Sequence, residues 1–368
     1  MTAARRRQAR GRHRSRLPLA AGLALGVLAD ELLGDPRHGH PVAGFGQAAA
    51  ASERLLYRDS RSAGGRYAAA CVLPVVTAAA GVEYRVRHRP VRRTLAIAAG
   101  TWTVLGGRSL RRVATDLAGA LYRQDTAAAR ALVPSLCGRD PASLDAAGLA
   151  RATVESVAEN TADAVTAPLF WGAVAGLPGL LSYRAINTLD AMVGHRSPRY
   201  ARFGTAAARL DDLANLVPSR LTAALTVALA PQVGGSPVRA LRAWQSDAAA
   251  HPSPNAGQCE AAAAGALGLT LGGETRYRSH TEHRPLLGTG RAPEPGDIVR
   301  AVRLSHLLQH ATLVAALAGL HLQDRSRTKR ASKDGPVRDP APRRRAHRKA
   351  GQSGTEQNGA RWQRVRRR

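Results

Sequence analysis

The sequence predicts an all-α fold: a polytopic helical membrane protein with short or broken transmembrane helices and disordered basic tails. Uncharged apolar runs recur along the chain, which favours residence in a membrane. Ala, Leu and Arg dominate between the runs and favour helix, whereas alternating β-branched residues are almost absent. The net charge of +28 is concentrated at the two ends of the chain.

The N-terminal apolar run, residues 17–33, follows seven arginines and has the layout of a signal peptide. It lacks a small-x-small cleavage site before Asp30 and Glu31, so we expect it to be retained. The arginines between residues 85 and 93 predict a cytoplasmic loop. Residues 108–163 are also rich in Arg, yet a strict up-and-down count places them outside, so the orientation stays open.

The later apolar runs differ in length. A spanning helix needs about 20 apolar residues, and only residues 164–183 form an uncharged run of 20. The shorter or less apolar runs are 67–82, 94–107, 221–235, 261–273 and 304–322. Pro178 and Gly179 inside the longest run indicate a turn or a broken helix. A soluble helical protein rich in Ala and Gly is the alternative, but the recurrence of the runs favours the membrane.

The two ends are basic and poor in apolar residues, which predicts disorder. The expected organisation is a basic N-terminal extension over 1–16, a helical membrane domain over 17–322 and a basic tail over 323–368. Binding to anionic lipid or nucleic acid is the alternative to a simple solvated charge run. The aromatic content of 4% leaves little to stack on bases, so we expect membrane lipid and no nucleic acid as a partner.

Cysteine and lysine usage excludes several kinds of site. The cysteines lie far apart and form no CxxC pair, which argues against a structural zinc site or a disulfide framework: Cys71, Cys137 and Cys259. All three lysines lie in the basic tail, at Lys329, Lys333 and Lys349. The helical domain therefore has no lysine for a Schiff base or a Walker-type phosphate loop.

Polar residues gather in four clusters beside the apolar runs. In one of them Glu155, Glu159 and Asp163 are spaced four residues apart and share one face of a predicted helix. These carboxylates repel one another, and Arg151 alone does not neutralise them. A divalent cation, proton uptake or solvation would relieve the repulsion. The other clusters lie within residues 30–40, 187–220 and 251–260.

The composition of the clusters suits a magnesium and phosphate site. Carboxylate and amide oxygens are ligands that Mg²⁺ accepts, and nearby arginines bind phosphates or carboxylates through their planar forks. For any single cluster, a solvated helix end or a structural ion pair is the better explanation, but the four clusters together favour a site. The histidines form no HExxH motif, and neither GxSxG nor GxGxxG occurs.

Four segments in these clusters closely resemble the adenosylcobinamide-phosphate synthase family of cobalamin biosynthesis, the CobD/CbiB type of integral membrane protein. They are GDPRHGHPV at 34–42, ESVAENTADAVTAPLFW at 155–171, INTLDAMVGHRSPRYARFGTAAARLDDLANLVPSRL at 186–221 and SPNAGQCEAAAAGALGLTLGG at 253–273. The third segment is the most specific. Gln258 and Cys259 depart from the bulky residue expected after SPNAG, which puts the substrate contact of that loop in doubt.

The resemblance implies a carbon–nitrogen ligase that joins the propionate carboxylate of (adenosyl)cobyric acid to aminopropanol or aminopropanol phosphate. A carboxylate must be activated before it acylates an amine, so Mg²⁺ and ATP are the expected cofactors. A multi-pass location in the cell membrane and association with other membrane enzymes of the cobalamin pathway are also expected. The alternative is a membrane transporter of an ion or a corrinoid-type solute, because intramembrane carboxylates and broken helices also occur in transporters.

Motif position and residue chemistry together assign roles within this resemblance. Catalytic roles are expected of Glu155, Glu159, Asp163 and Asp190. Metal binding is expected of Asp211, Asp212 and Asp35. Substrate binding is expected of Asn160, Asn187, Arg196, Arg199, Arg209, Ser253, Asn255 and His40.

Overall fold

The computed structural model describes residues 16–35, 39–195, 197–276 and 281–333, with side chains described as far as 326. The described chain is helical apart from one β-hairpin, which confirms the all-α fold class. Among the described residues, those as far as Ser326 group as one compact unit, and a second unit begins at Arg327. Most of the two predicted basic tails, residues 1–15 and 334–368, lies outside the described residues.

The helices follow one another with short connections. In chain order they are α1 (Leu17–Leu33), α2 (Pro41–Leu56), α3 (Arg61–Val86), α4 (Pro90–Val104), α5 (Gly107–Tyr122), α6 (Thr126–Leu132), α7 (Ala146–Thr161), α8 (Ala167–Leu189), α9 (Thr205–Leu229), α10 (Pro237–Asp247), α11 (Ala256–Leu267) and α12 (Pro295–Lys333). Proline at the first position pre-sets the helical φ angle of several of them. Side chains cap others: Asp145, for example, accepts a 2.7 Å hydrogen bond from Gly148 N at the start of α7.

Three helical stretches are long and apolar enough to cross a membrane: Arg61–Val86, Ala146–Gly194 and Thr205–Val233. The second contains the run 164–183 that the sequence singles out. It is interrupted by π-helical turns at Ala162–Thr166 and Asp190–Gly194 and by a kink at Gly176, where φ is +64°. Glycine adopts this left-handed conformation without steric cost. The prediction of broken helices is therefore confirmed.

The β-hairpin was not predicted from the sequence. Strands β1 (Leu271–Arg276) and β2 (Thr281–Leu287) pair antiparallel, with an irregularity between Leu271 and Gly273. Glycine is a poor strand former, so the local sequence gives no strand signal. A tertiary contact holds the strand at this irregularity: Gly272 N donates a 2.7 Å hydrogen bond to Glu155 Oε1 on α7.

Two apolar cores meet along α7 and α8. Leu149 of α7 packs in one core, with Leu117 of α5. Leu180 of α8 packs in the other, with Leu23 of α1. The first π-helical turn lies between α7 and α8, at the boundary between the two cores. A carboxylate in that turn is thus held by well-packed structure on either side.

Helices α1 and α4 pack closely because α1 carries small residues on one face. Gly22 and Gly26 lie one turn apart on α1. A Cβ built on Gly26 would clash with the Thr101 side chain and would lie 2.8 Å from Ala98 O. Small residues at this spacing let helix backbones approach, as they do in many membrane proteins.

Replacing Gly26 with Ala is expected to lower the free energy of unfolding by about 1–3 kcal/mol, because the added methyl group overpacks the contact between α1 and α4. Thermal unfolding of the detergent-solubilised chain measures this loss. Gly44→Ala in α2 is the matched control, since a Cβ there meets nothing within 4 Å. Equal melting temperatures for the two variants would contradict the close packing.

Candidate functional site

An acidic cavity of about 300 Å³ lies where the two π-helical turns meet α9 and the loop before α11. Five carboxylates line it: Glu159, Asp163, Asp190, Asp211 and Asp212. Its uncharged polar lining includes Asn215, Ser219, Ser253 and Asn255. Residues from three of the predicted clusters, up to about 96 positions apart in the sequence, therefore meet at one place. We call this space the acidic cavity.

Both π-helical turns supply carboxylates to the acidic cavity. Asp163 lies in the turn Ala162–Thr166 and Asp190 opens the turn Asp190–Gly194. Single π turns inside α-helices are rare and are frequent at functional sites. Two of the five carboxylates, Asp163 and Asp190, thus reach the cavity from irregular turns, whereas the other three lie on regular α-helix.

Side-chain amides fix the orientation of Asp211. Asn187 Nδ2 donates to Asp211 Oδ1 over 3.3 Å, and Asn215 Nδ2 donates to Asp211 Oδ2 over 3.0 Å. Asn255 Nδ2 similarly donates to the backbone oxygen of Asp212 over 2.8 Å. A carboxylate held at both oxygens presents a defined surface to a ligand. Of the residues predicted to bind substrate, Asn187 therefore contacts the Asp211 carboxylate and Asn255 the backbone of Asp212.

Tyr183 is a member of the site that the sequence analysis missed. Its hydroxyl lies 3.2 Å from Asp163 Oδ1 and 3.0 Å from Asn215 Oδ1, and its single proton can serve either acceptor. Tyr183 also lines an apolar cavity of about 650 Å³ beside Trp171. A phenol that ends an otherwise apolar run is the signal that could have identified it.

Two arginines that contact the amides around the cavity are not among the predicted substrate-binding residues. Arg184 Nη1 lies 3.4 Å from Asn187 Oδ1, and Arg220 Nη1 lies 3.4 Å from Asn255 Oδ1. Arg199 instead pairs with Glu53 over 3.0 Å and lies over the Tyr57 ring. Arg209 is exposed on α9 and is not among the residues that line the cavity.

The remaining predicted site residues are elsewhere. His40 caps α2, its Nδ1 accepting a 3.1 Å hydrogen bond from Val42 N. Asp35 lines a separate cavity with Trp102 and Arg108, and so does not join Asp211 and Asp212. The physical reason is that Asp35 follows α1, which packs on α4 rather than on α9. Arg196 lies outside the described residues.

Glu155 and Asn160 face inward rather than into the cavity. Glu155 is 2% exposed, forms an ion pair with Arg139 and accepts the hydrogen bond from Gly272 N. Asn160 Nδ2 donates to Ser156 Oγ over 2.8 Å and to Leu136 O over 3.3 Å. Both side chains are thus engaged in holding α7 to its neighbours. Of the three acids predicted to share one helical face, Glu159 and Asp163 line the cavity, whereas Glu155 does not.

Glu260 on α11 is a buried acid that the sequence analysis left without a role. It is 1% exposed, and within the described part of the chain neither carboxylate oxygen has a hydrogen-bond partner. His251 Nε2 lies 3.7 Å from Glu260 Oε1.

Burial, together with the charges of Glu159 and Glu155, raises the pKa of Glu260 well above its ordinary value, although Arg284 opposes the rise. Burial and Arg284 lower the pKa of His251. Neutral forms are therefore favoured for both groups.

Comparison with known proteins identifies the chain's relatives. The model of the CobD/Cbib protein family matches residues 23–305, which include every element that forms the acidic cavity. The chain belongs to the CobD/Cbib family. The resemblance drawn from the four sequence segments is thereby confirmed.

Relatives in this family are named for cobalamin biosynthesis. The cobalamin biosynthesis protein CobD of Mycobacterium tuberculosis (strain ATCC 25618 / H37Rv) is 54% identical over 299 residues, covering 81% of this chain and 95% of the relative. The protein of the same name from Chromobacterium violaceum is 43% identical over 290 residues, covering 77% and 90%. That of Pelobacter propionicus is 40% identical over 304 residues, covering 80% and 94%. No solved structure matches the chain.

Replacing Glu260 with Gln is expected to flatten the pH dependence of stability. Because the folded state raises the pKa of Glu260, its contribution to stability is complete below the unfolded pKa and is lost as the pH rises towards the folded pKa. The wild-type melting temperature should therefore fall more than that of Glu260→Gln between about pH 5 and pH 8. Thermal unfolding across this range measures the difference. Glu294→Gln, at an exposed position, is the control, and parallel curves for wild type and Glu260→Gln would refute the expectation.

Proposed function

We propose that this CobD/Cbib family member joins (adenosyl)cobyric acid to aminopropanol or aminopropanol phosphate through an amide bond. The product is (adenosyl)cobinamide or its phosphate, which makes the chain a carbon–nitrogen ligase. The observation that carries the proposal is the acidic cavity, where carboxylates from α7, α9 and the two π-helical turns converge. Its volume suits a short amino alcohol and the side arm of a macrocycle rather than a whole corrin ring.

The chemistry requires activation before the amide forms. A free carboxylate does not acylate an amine at neutral pH, so we propose that ATP phosphorylates the substrate carboxylate to an acyl phosphate and that ADP leaves. The amine then attacks the acyl carbon, loses a proton and displaces phosphate. Most of the required rate enhancement comes from positioning and charge stabilisation.

Mg²⁺ fits the donor set of the cavity. The side chains that converge there offer carboxylate, amide and hydroxyl oxygens, which suit a hard cation that keeps some water and shares substrate phosphates. Asp211 and Asp212 would hold the ion, with water and substrate phosphate completing its coordination and Asp190 adding negative charge from the same cavity. When bound, it would neutralise charge on the transferring phosphoryl group. Asp35 lies in the other cavity and takes no part in this proposal.

The chain's own side chains would then handle the amine. We propose that Asp163 binds the amino alcohol, with the Tyr183 hydroxyl holding the carboxylate in place. Glu159, one turn earlier on the cavity wall, accepts the proton that the attacking amine loses. Arg184 and Arg220, which contact Asn187 and Asn255, would hold phosphate or corrin carboxylates through their guanidinium forks.

The three apolar helical stretches are consistent with a multi-pass protein of the cell membrane. We propose this location, with membrane lipid as a surrounding partner and other membrane enzymes of the cobalamin pathway as neighbours. The product of one such enzyme would then reach the acidic cavity without crossing the cytoplasm.

Glu159→Gln and Asp190→Asn are expected to lower amide formation at least about 100-fold, because general-base and charge-stabilising groups contribute on this scale. Membranes containing each variant are assayed with cobyric acid, aminopropanol phosphate and Mg-ATP, omitting each component in turn. Asp116→Asn is the matched control, since Asp116 is exposed on α5. Full activity in either cavity variant, with the protein inserted normally, would refute the proposed site.

A transporter of an ion or a corrinoid-type solute is the second candidate. The observation that favours it is the kink at Gly176 in a helix flanked by carboxylates, since discontinuous helices also bind solutes in transporters. Uptake of cobyric acid by vesicles that hold the chain, without formation of an amide, would support transport. Amide formation in detergent, where no compartment exists, would support the ligase.

A further inference from the structure

Away from the acidic cavity, Glu31 of α1 meets His306 and His310 of α12. The Nε2 atoms of the two histidines lie 3.2 Å apart, and Glu31 Oε1 lies 3.7 Å from His306 Nε2. Of all the described histidines, cysteines, aspartates and glutamates, only these three bring ligand atoms within 4.8 Å of one another as a group. Both histidines are exposed and Glu31 is half-buried. A solvent-borne ion can therefore reach the three side chains.

The backbone brings these three side chains together without local irregularity. His306 and His310 are four residues apart in α12, so they lie on one face of the helix. The same spacing places two histidines on one metal in other helical sites. Glu31 comes from the last turn of α1, so the cluster links the first and last helices of the described chain.

Glu31 is held in place by a buried hydrogen-bond network. Arg111 Nη2 donates to Glu31 Oε1 over 2.6 Å, and Arg111 Nη1 donates to Gln309 Oε1 over 2.8 Å. Gln309 Nε2 in turn donates to Asp30 Oδ2 over 3.3 Å. Arg111, Gln309 and Asp30 are all buried. Partners of this kind orient a metal-ligating side chain before the ion arrives.

Two of the three distances between ligand atoms are close to those around a tetrahedral ion, and the third is below 4.8 Å. Zinc lies about 2.0–2.2 Å from imidazole nitrogen and carboxylate oxygen, so tetrahedral ligand atoms are about 3.3–3.5 Å apart. The two histidine nitrogens, at 3.2 Å, need almost no adjustment. The carboxylate oxygen, at 3.7 Å from His306 Nε2, needs a shift of a few tenths of an ångström.

We propose that Glu31, His306 and His310 bind a divalent transition-metal ion of the zinc class, with water completing its coordination. Two imidazoles and one carboxylate suit zinc, cobalt or nickel ions better than magnesium. The ion would bridge α1 and α12 and so stabilise the contact between them. This site is independent of the proposed ligase activity.

The proposed metal site of Glu31, His306 and His310 is separate from the acidic cavity. Thr161 Oγ1 of α7 bonds Ser305 Oγ over 2.8 Å, so α12 packs on the face of α7 that contains Thr161. Glu159 and Asp163, two residues to either side of Thr161, face the cavity. One face of this helical segment thus contacts α12, which carries the two histidines, and the opposite face lines the acidic cavity. A metal ion bound by Glu31, His306 and His310 would not occupy the acidic cavity.

Titration of the full-length chain in detergent with Zn²⁺, followed by calorimetry, tests the proposal. Wild type is expected to bind one equivalent at this site, and the double variant His306→Ala/His310→Ala should bind it at least about 100-fold more weakly, a larger loss than that seen for outer-shell partners alone. Glu31→Gln, which keeps an acceptor for Arg111, should weaken binding to a smaller extent. His321→Ala is the matched control, an exposed histidine on the same helix.

Two further measurements do not depend on the double variant folding well. Co²⁺ added to wild type should give the intense visible absorption of a four-coordinate ion, and Zn²⁺ should raise the melting temperature of wild type and of His321→Ala. Absence of the Co²⁺ spectrum would overturn the proposal. Equal Zn²⁺ affinity in wild type and the folded double variant would also overturn it, because binding would then belong to histidines elsewhere.

Discussion

The mutual repulsion of carboxylates is the constraint on which the architecture of the acidic cavity depends. Asp163, Asp190 and Asp211 are half-buried in one small space, where charges are screened less than in bulk water. Hydrogen bonds from the Asn187 and Asn215 amides and from the Tyr183 phenol offset part of the repulsion and fix the positions of Asp211 and Asp163. A cationic ligand would relieve the repulsion that remains. The unfavourable free energy of holding the carboxylates together would therefore strengthen binding of that ligand. Such a conflict between local stability and arrangement is typical of a functional site.

The path of the chain explains how the conflict is tolerated. Helix α7 is buried in one apolar core and α8 in another, and the π-helical turn with Asp163 lies between them. Neither helix can rotate, and so move Asp163 or Asp190 at its end out of the cavity, without losing apolar contacts. Tyr183 and Asn215 then hold Asp163 and Asp211 from the far side. The cavity is thus set by packing at a distance as much as by its own lining.

Local patterns in the sequence predict the fold class well, because helix propensity and apolar runs act over short distances. The run 17–33 coincides with α1, and the longest run lies within a candidate span. The same patterns miss what tertiary contacts decide. The hairpin is held by Glu155 across 117 positions, and Arg199 is drawn to Glu53 across 146. No local signal gives either pairing, so the sequence alone indicates neither the ion pair of Arg199 nor the contact of Tyr183 with Asp163.

Three acids at one spacing, Glu155, Glu159 and Asp163, show why a shared helical face does not establish a shared role. Glu155 is neutralised by Arg139 and bonded to the hairpin, so it secures α7 and has no free surface for a ligand. Asp163 is held by the Tyr183 phenol. Glu159, which lies between Glu155 and Asp163 in the sequence, lines the cavity. Environment, not spacing, separates a structural acid from candidates for proton transfer, as it does wherever carboxylates of one site take different roles. The Arg139 ion pair therefore serves the site indirectly, since it fixes the helix on which Glu159 depends.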